Sequence, residues 1–407
     1  MNMSERHKSR RGNTSPKPST PAALLPIMGA VFVAFLVIGM AMPVLPLHVH
    51  QGLGLGASVV GIVAGSQFAA AILSRVWAGR QSDARGPKTA MLAGLVIAAA
   101  SGGLYLLSLS AASQPITSVA ILLLGRLVLG MGESFIIIGG QSWALAILTP
   151  RNISKAIAWI GSAMFAAFAA GAPIGSALYA RFGFAGVGVT TVLLPLLTLL
   201  CVAPLQSVAP IQREQAGFMK VMGLVWVPGL GAALSSIGFG AITAFSALLF
   251  VAHGWAAWPA FTVFAAVFIL ARLFLAHLAD RFAAPTVALL SVLLEAAGLA
   301  MLAISHSLPA ALAGAALTGF GYSLVYPALG VEAVRSAPVQ SRGLAIGAYT
   351  AFLDVALGFG TPALGVLAER VGVGSAFVAS AIAALGSAAI SAFLMNRSQI
   401  PRAAAPA

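Results

Sequence analysis

The sequence predicts an all-α membrane protein, with twelve transmembrane helices in two pseudo-symmetric six-helix bundles. Three observations predict it: charge is scarce, apolar runs of spanning length recur, and motifs of the first half return in order in the second. Of 407 residues, 60% are hydrophobic and 8% charged, with a mean hydropathy of +0.99. A soluble domain carries about 25% charged residues. A chain this poor in charge cannot clothe a water-facing surface, so lipid must cover much of it.

The elements follow in chain order. Residues 1–22 are a polar arm with Arg6, Lys8, Arg10, Arg11 and Lys17 and prolines at 16, 18 and 21, a composition expected to stay disordered. The next apolar run, 24–47, outruns the core of a signal peptide and has no small-residue cleavage site, so it reads as a retained first span. Further runs of spanning length lie at 57–78, 88–110, 117–140, 153–180 and 184–204, completing an N-terminal bundle over 23–205. A linker, 206–217, leads to runs at 218–250, 256–279, 286–304, 309–333, 342–367 and 373–395. These give a C-terminal bundle over 218–396 and a tail, 397–407.

The placement of Lys and Arg tests this count. Seventeen fall in the arm, the even connections and the tail, two (Arg181 and Arg370) in the odd connections, and three (Arg75, Arg126, Arg272) inside spans. The positive-inside rule then puts both termini in the cytoplasm, as an even number of spans requires. The net charge of +13 does not point to nucleic acid, because the basic residues are dispersed among short connections instead of gathered on one face. Cys201 stands alone, which excludes an intramolecular disulfide. His48 and His50 read as a solvated edge after the first span, since no further ligands for a metal stand near them.

The second half repeats the first. Shifting SRVWAGRQSDARGPK (from Ser74) by 197 residues sets Arg75 on Arg272 and Asp83 on Asp280. GMGES (from Gly130) matches GFGYS (from Gly319), and APIGSALYARFG (from Ala172) matches TPALGVLAERVG (from Thr361), both at a shift of 189. Repeats of this kind build transporters whose substrate site lies between the halves near the midplane.

With these residues in view, the chain after its basic arm resembles the major facilitator superfamily. The family's motif between spans two and three is matched at Gly79, Asp83, Gly86 and Lys88, with Ala84 for its first arginine, Arg85 one place later, and Pro87 for its second arginine. Its second copy keeps Asp280 and Arg281 but has Ala276 and Ala283 for the glycines. The resemblance implies a gate: glycines bring spans together, and Asp83 and Asp280 face the positive N-terminal ends of spans eleven and five. Arg75 and Arg272 belong to the same motif region. The alternative is that Arg80, Arg85 and Lys88 serve orientation alone.

Span four reads Arg126-x-x-x-Gly130-x-Gly132-Glu133 and is similar to the family's span-four motif of proton-coupled antiporters. Seven residues apart, Arg126 and Glu133 share a helix face. Charged side chains at membrane depth usually face a wet cavity or a partner. Either Glu133 takes and releases a proton, with Arg126 tuning it or holding an anionic group, or the two lock span four into a structural network. Gly171, Pro173 and Gly175 give span five a small-residue packing face with a kink, similar to the span-five motif of antiporters. Asp354 in span eleven is a cavity candidate, Glu295 in span nine a structural one, and Glu332 a partner for Arg335. Gln67, Gln141, Tyr322 and Tyr326 are candidates to hydrogen-bond a substrate, or else packing residues. The aromatic residues look ordinary for lipid-facing and core helix surfaces.

The resemblance is to bacterial proton-coupled efflux permeases, including an uncharacterised arabinose-permease-like branch. It implies a monomeric transporter of the bacterial inner membrane that exchanges protons for a small organic molecule. Uptake of a sugar or organic acid is the alternative, and a non-transporting membrane sensor a remote one. No phosphate-cradling loop, nucleophile–base pair or metal cluster stands out, so neither an enzyme nor a cofactor is expected.

Overall fold

The structure, a computed structural model, describes residues 20–147, 153–208, 218–275, 282–337 and 342–399. Span one, Thr20–Leu47, runs on through a π-helical turn, His48–Gly52. Spans two, three and four are Ala57–Arg85, Pro87–Ser110 and Pro115–Ile147. Spans five and six form one helix, Ile153–Val202, bent at Gly183. Span seven is Phe218–Ala252, span eight Pro259–Leu275, span nine Ala284–Ile304 and span ten Leu308–Arg335. Span eleven is Arg342–Val355 and Thr361–Val371 with a π-helical turn, Ala356–Gly360, between them. Span twelve is Gly374–Gln399.

Ten of the described helices are long and apolar enough to cross a membrane, and Pro259–Leu275 is a shorter apolar one. One of the ten, Trp159–Val202, contains the bend at Gly183. Counting it twice and adding the short helix brings the number to the expected twelve. The outward faces are apolar as well, with Leu193, Leu197, Leu200, Leu290 and Ile382 exposed. A helix that is apolar all round belongs in lipid.

The structure corrects the sequence reading in three places. Span two does not end near residue 78; it continues to Arg85, so the Gly79–Asp83 stretch is helix. Gly86 alone, at φ 91°, parts it from span three, a conformation natural to glycine, and Pro87 then opens the next helix at the position proline favours. The break before span six is likewise one residue, Gly183 at φ 63°. His48 is buried, not solvated: the π-helical turn keeps it inside, flat on Phe184 with ring centroids 4.0 Å apart. His50 is exposed, its Nδ1 2.8 Å from the Leu55 carbonyl. Among the described residues no three His, Cys, Asp or Glu side chains gather to hold a metal ion.

The sequence repeat is also a repeat of packing. A methyl group on Gly130 would overlap the Gln67 carbonyl, and one on Gly319 would overlap the Phe264 carbonyl. Gln67 and Phe264 stand 197 residues apart, Gly130 and Gly319 189, so the two crossings are copies. Gly132 meets the backbone of Gly94 and Ala98 on span three. Gly171 and Gly175 meet Gly39 and Met40 on span one, and Pro173 lies within that seam.

The halves meet most closely at the end that carries the 1–2 and 11–12 connections. There Gly61 and Gly65 press on Thr361 and Pro362, and Gly365 presses on the Ala57 carbonyl. The Ser58 N–H donates to Glu369 Oε2 at 2.9 Å, which seats a carboxylate from span eleven at the positive N-terminal end of span two. Toward the chain termini, Gly79 of span two and Gly347 of span eleven both face open space.

These contacts separate two substitutions of the same type. Gly130→Ala should destabilise the protein by roughly 1–3 kcal/mol or more through overpacking. Gly79→Ala should be neutral, or stabilising by up to about 1 kcal/mol, through helix propensity alone. Thermal unfolding in detergent checks both; equal midpoints would mean that the span two–span four seam is looser than described.

Candidate functional site between the halves

The site is built from spans two, four and eleven, with spans eight and ten behind them. Arg75 of span two and Asp354 of span eleven form a two-pronged ion pair across the halves. Nε lies 2.6 Å from Oδ2, and a terminal guanidinium nitrogen donates to Oδ1 at 3.0 Å. Their side chains are 24% and 7% exposed, so the arginine keeps an opening to solvent while the aspartate does not. The contact to Oδ1 is a charge-assisted hydrogen bond, and the Nε–Oδ2 approach adds the attraction of opposite charges without hydrogen-bond geometry. The sequence assigned Arg75 to the gating motif and Asp354 to the cavity; the structure joins them.

Two turns up span two, Gln67 donates from Nε2 to Glu133 Oε2 at 2.5 Å. Both residues are buried, and Arg75, Asp354 and Arg126 all lie within electrostatic range of Glu133. The contact exists because Gly130, three residues before Glu133, lets span four lie directly on the backbone of Gln67. Ser134 extends the seam, meeting Ser74 Oγ at 3.0 Å.

Arg126 does not touch Glu133 in the structure. Its Nε donates to the Val63 carbonyl at 3.3 Å and its NH1 to the Tyr105 hydroxyl at 3.4 Å, so it ties span four to spans two and three. It also borders a small cavity with Met42, Leu45, Val60, Phe68 and Thr243. Of the substrate candidates, Tyr322 shares a hydrogen bond of 3.2 Å with Ser236. Tyr326 bonds Thr350 at 2.8 Å and accepts from the Tyr349 hydroxyl at its carbonyl, also 2.8 Å. Gln141 is half-buried and stands two turns beyond Glu133, outside this network. Glu295 accepts from Ser235 at 2.5 Å, and Glu332 pairs with Arg335 at 2.9 Å.

The gating motif divides. Lys88 Nζ donates to the carbonyls of Ala203 and Leu205 at 2.7 and 2.5 Å. It caps the end of span six within its own half, where a cation meets the free carbonyls of a helix C-terminus. Gly79 makes no close approach and Gly86 serves the turn. Asp83 is half-buried, with Arg80 and Arg85 exposed, and none of the three has an ion pair among the described residues. Asp280 and Arg281 lie outside the described residues. Arg272 lies over the rings of Phe165 and Phe268, 5.7 and 5.6 Å from their centroids.

Two features escaped the sequence reading. Glu369 is one of nine acidic residues, but its meeting with span two depends on a tertiary contact no local pattern announces. The aromatic residues are not scattered: Phe165 of span five stacks on Phe268 of the other half at 3.8 Å, and Phe168 meets Phe239 at a tilt and Phe261 edge to face, at 6.3 and 6.2 Å. Their signal was their recurrence on spans five, seven and eight.

A helical bundle in two repeated halves with a polar pair bridging them defines a membrane transporter. The Major Facilitator Superfamily model matches residues 27–261 and again 230–407, and the chain belongs to that family. An uncharacterized MFS-type transporter of Salmonella typhimurium is 41% identical over 380 residues, covering 93% of this chain and 98% of its own. One from Burkholderia mallei is 38% identical, covering 93% of each. Among solved structures, a bacterial homologue of the human lysosomal transporter Spinster, inward-facing and unoccupied, superposes with a TM-score of 0.72 at 16% identity. It covers 97% of this chain and 100% of its own. The protein is a multi-pass membrane transporter, not an enzyme.

Removing one partner of the bridging pair strands a charge. Arg75→Gln or Asp354→Asn should each lower the thermal midpoint, by less than the roughly 3–5 kcal/mol of a fully buried pair because Arg75 is partly exposed. The exchanged double variant R75D/D354R should recover part of the loss; a double variant no better than the worse single one would show that the pair adds nothing to docking of the halves.

Proposed function

We propose that the protein is a proton-coupled exporter of a small organic molecule, working by alternating access in a bacterial inner membrane with both termini in the cytoplasm. The charge asymmetry of the connections supports that orientation, and bacterial relatives support that membrane. In this orientation the end closed by Glu369 on span two is the outer one.

The observation that carries the reading is Glu133, a buried carboxyl hydrogen-bonded to the neutral amide of Gln67 and set beside the ion pair that bridges the halves. A carboxyl there can hold a proton in one access state and release it in the other. Gln67 suits both forms, because its NH₂ donates to a carboxylate and its carbonyl accepts from a carboxylic acid after the amide turns over. Its Oε1 has no hydrogen-bond partner among the described residues, so the second role is free. Separation of the halves at the Arg75–Asp354 pair changes the charges that Glu133 senses, and this links its proton to the access state.

The test is tolerance of toxic compounds. Wild type and Glu133→Gln are expressed in a bacterial host stripped of its major exporters and challenged with amphiphiles, antibiotics and sugar analogues. Wild type should raise tolerance to at least one compound, and Glu133→Gln, present at the same level in the membrane, should lose that gain. Full tolerance from the variant removes Glu133 from coupling. Sensitisation by wild type, or growth on a new carbon source, turns the reading to uptake.

A further inference from the structure

The two halves treat the same arginine differently. Arg75 and Arg272 are repeat mates at a shift of 197, and Phe165 and Asp354 are repeat mates at a shift of 189. In one crossing Arg75 meets Asp354; in the pseudo-symmetric crossing Arg272 meets Phe165. The repeat has kept the arginine and put a phenyl ring where its carboxylate would be. Among the described residues Arg272 forms no ion pair. Faces of Phe165 and Phe268 hold it, a weaker attraction than a counter-ion provides. It is half-buried in span eight, where an arginine is costly unless something offsets it.

The surroundings carry the same sign. Away from the span ends, where Asp83, Glu332 and Glu369 stand, the described spans that meet between the halves bring in three arginines, 75, 126 and 272, against two carboxyl groups, Glu133 and Asp354. One arginine is therefore left over, and a second whenever Glu133 holds a proton. Around Arg272 the walls are apolar and aromatic: Phe165 stacks on Phe268, and the rings of Phe239, Phe264 and Phe268 surround Tyr322.

We infer that Arg272 anchors the anionic group of the substrate, and that the substrate is an amphipathic organic anion: a carboxylate or sulfonate on an aromatic or other apolar body. The planar guanidinium offers such a group two parallel donors, and the flanking rings receive the body. The bound anion takes the place that Asp354 fills in the other crossing. This deepens the transport reading and rests on it for the word substrate, while the binding itself requires no gradient.

The experiment measures equilibrium binding to purified full-length protein in detergent by calorimetry, without a pH gradient. The probes are 1-naphthoate and 1-naphthalenesulfonate, with neutral 1-naphthamide and cationic 1-naphthylmethylammonium as matched controls. Wild type should bind an anion at least about tenfold tighter than the amide and the cation. Arg272→Gln should erase that preference, and Arg272→Lys should weaken it by losing the two-pronged geometry. Phe165→Asp should also erase it, because the new carboxylate occupies Arg272 from within; loss of the Phe165–Phe268 stack should lower its thermal midpoint, and Arg272→Gln, which keeps that stack, is the control for folding. Equal binding of anion and amide, no binding of either anion to wild type, or an anion preference that survives both Arg272→Gln and Phe165→Asp overturns the inference. The preference should persist in Glu133→Gln; if it does while tolerance in cells is unchanged by that substitution, the coupling reading falls and the anion site stands.

Discussion

The Arg75–Asp354 pair is the interaction around which the two halves are organised. Each half has its own seams of small residues, such as Gly171 and Gly175 of span five against Gly39 and Met40 of span one. What joins the halves is of another kind: aromatic stacking from span five to span eight, a rim of glycines between spans two and eleven, and one charged pair. Stacking and rim contacts can slide; a two-pronged ion pair in apolar surroundings cannot. It is either made, with both charges satisfied, or broken, with both needing water or new partners. An all-or-none contact suits a protein with two discrete arrangements, because intermediate separations of the halves leave unpaired charge in a dry place. The partial exposure of Arg75 marks the side from which water reaches the pair first.

Duplication supplied geometry, and divergence supplied chemistry. Span four crosses span two over Gly130 just as span ten crosses span eight over Gly319. On that common scaffold the first crossing carries Gln67 and Glu133, and the second, at the repeat positions, Phe264 and Tyr322. One half thus holds a buried carboxyl with its amide partner and the other a ring pair, with centroids 6.3 Å apart. Glu295 is the same theme in reverse, since its repeat mate in span three is Ala98 and its carboxyl finds Ser235. A pair of identical halves would bind and gate symmetrically. The departures from symmetry give the two halves different chemistry, and the proposed separation of a proton site from an organic-molecule site rests on them.

The fold was legible because lipid imposes simple rules. Length and hydropathy marked each span to within a few residues over most of the chain, and the repeat stated the two-bundle plan. The errors at the limits of spans two and six share one cause, the shortness of the breaks, while that at His48 came from a π-helical turn that no local pattern marks. Gly86 and Gly183 turn the chain with a single residue of positive φ, and a window that averages twenty residues cannot resolve that. The site was legible as a roster: Arg75, Arg126, Glu133 and Asp354 stand out because charge at membrane depth is rare. Their partners were not, because partnership is set by helix rotation and by crossings hundreds of residues apart. Arg126 and Glu133 share a face, which suggested a mutual pair, yet both reach across to span two, at Val63 and Gln67. Lys88 matched a gating motif and caps span six instead, since the nearest open carbonyls belong to its own half.

The two ends of the span two–span eleven contact also differ in kind, and this bears on how the protein moves. At the sealed end the polar contribution is a carboxylate on a helix N-terminus, Glu369 on Ser58 N–H. That contact is solvent-accessible, so water can replace it at little cost when it opens. Further along the same two spans the Arg75–Asp354 pair is more enclosed, with the aspartate buried and the arginine partly open. A rim that releases easily and a centre that releases only on wetting or on a change of charge put control of the transition at the centre, next to Glu133. On the proposed reading, proton binding at Glu133 acts on the position of two whole bundles through that centre. The remaining contacts between the halves are apolar and close to indifferent to small sliding, so the charged centre holds the largest difference between the two states.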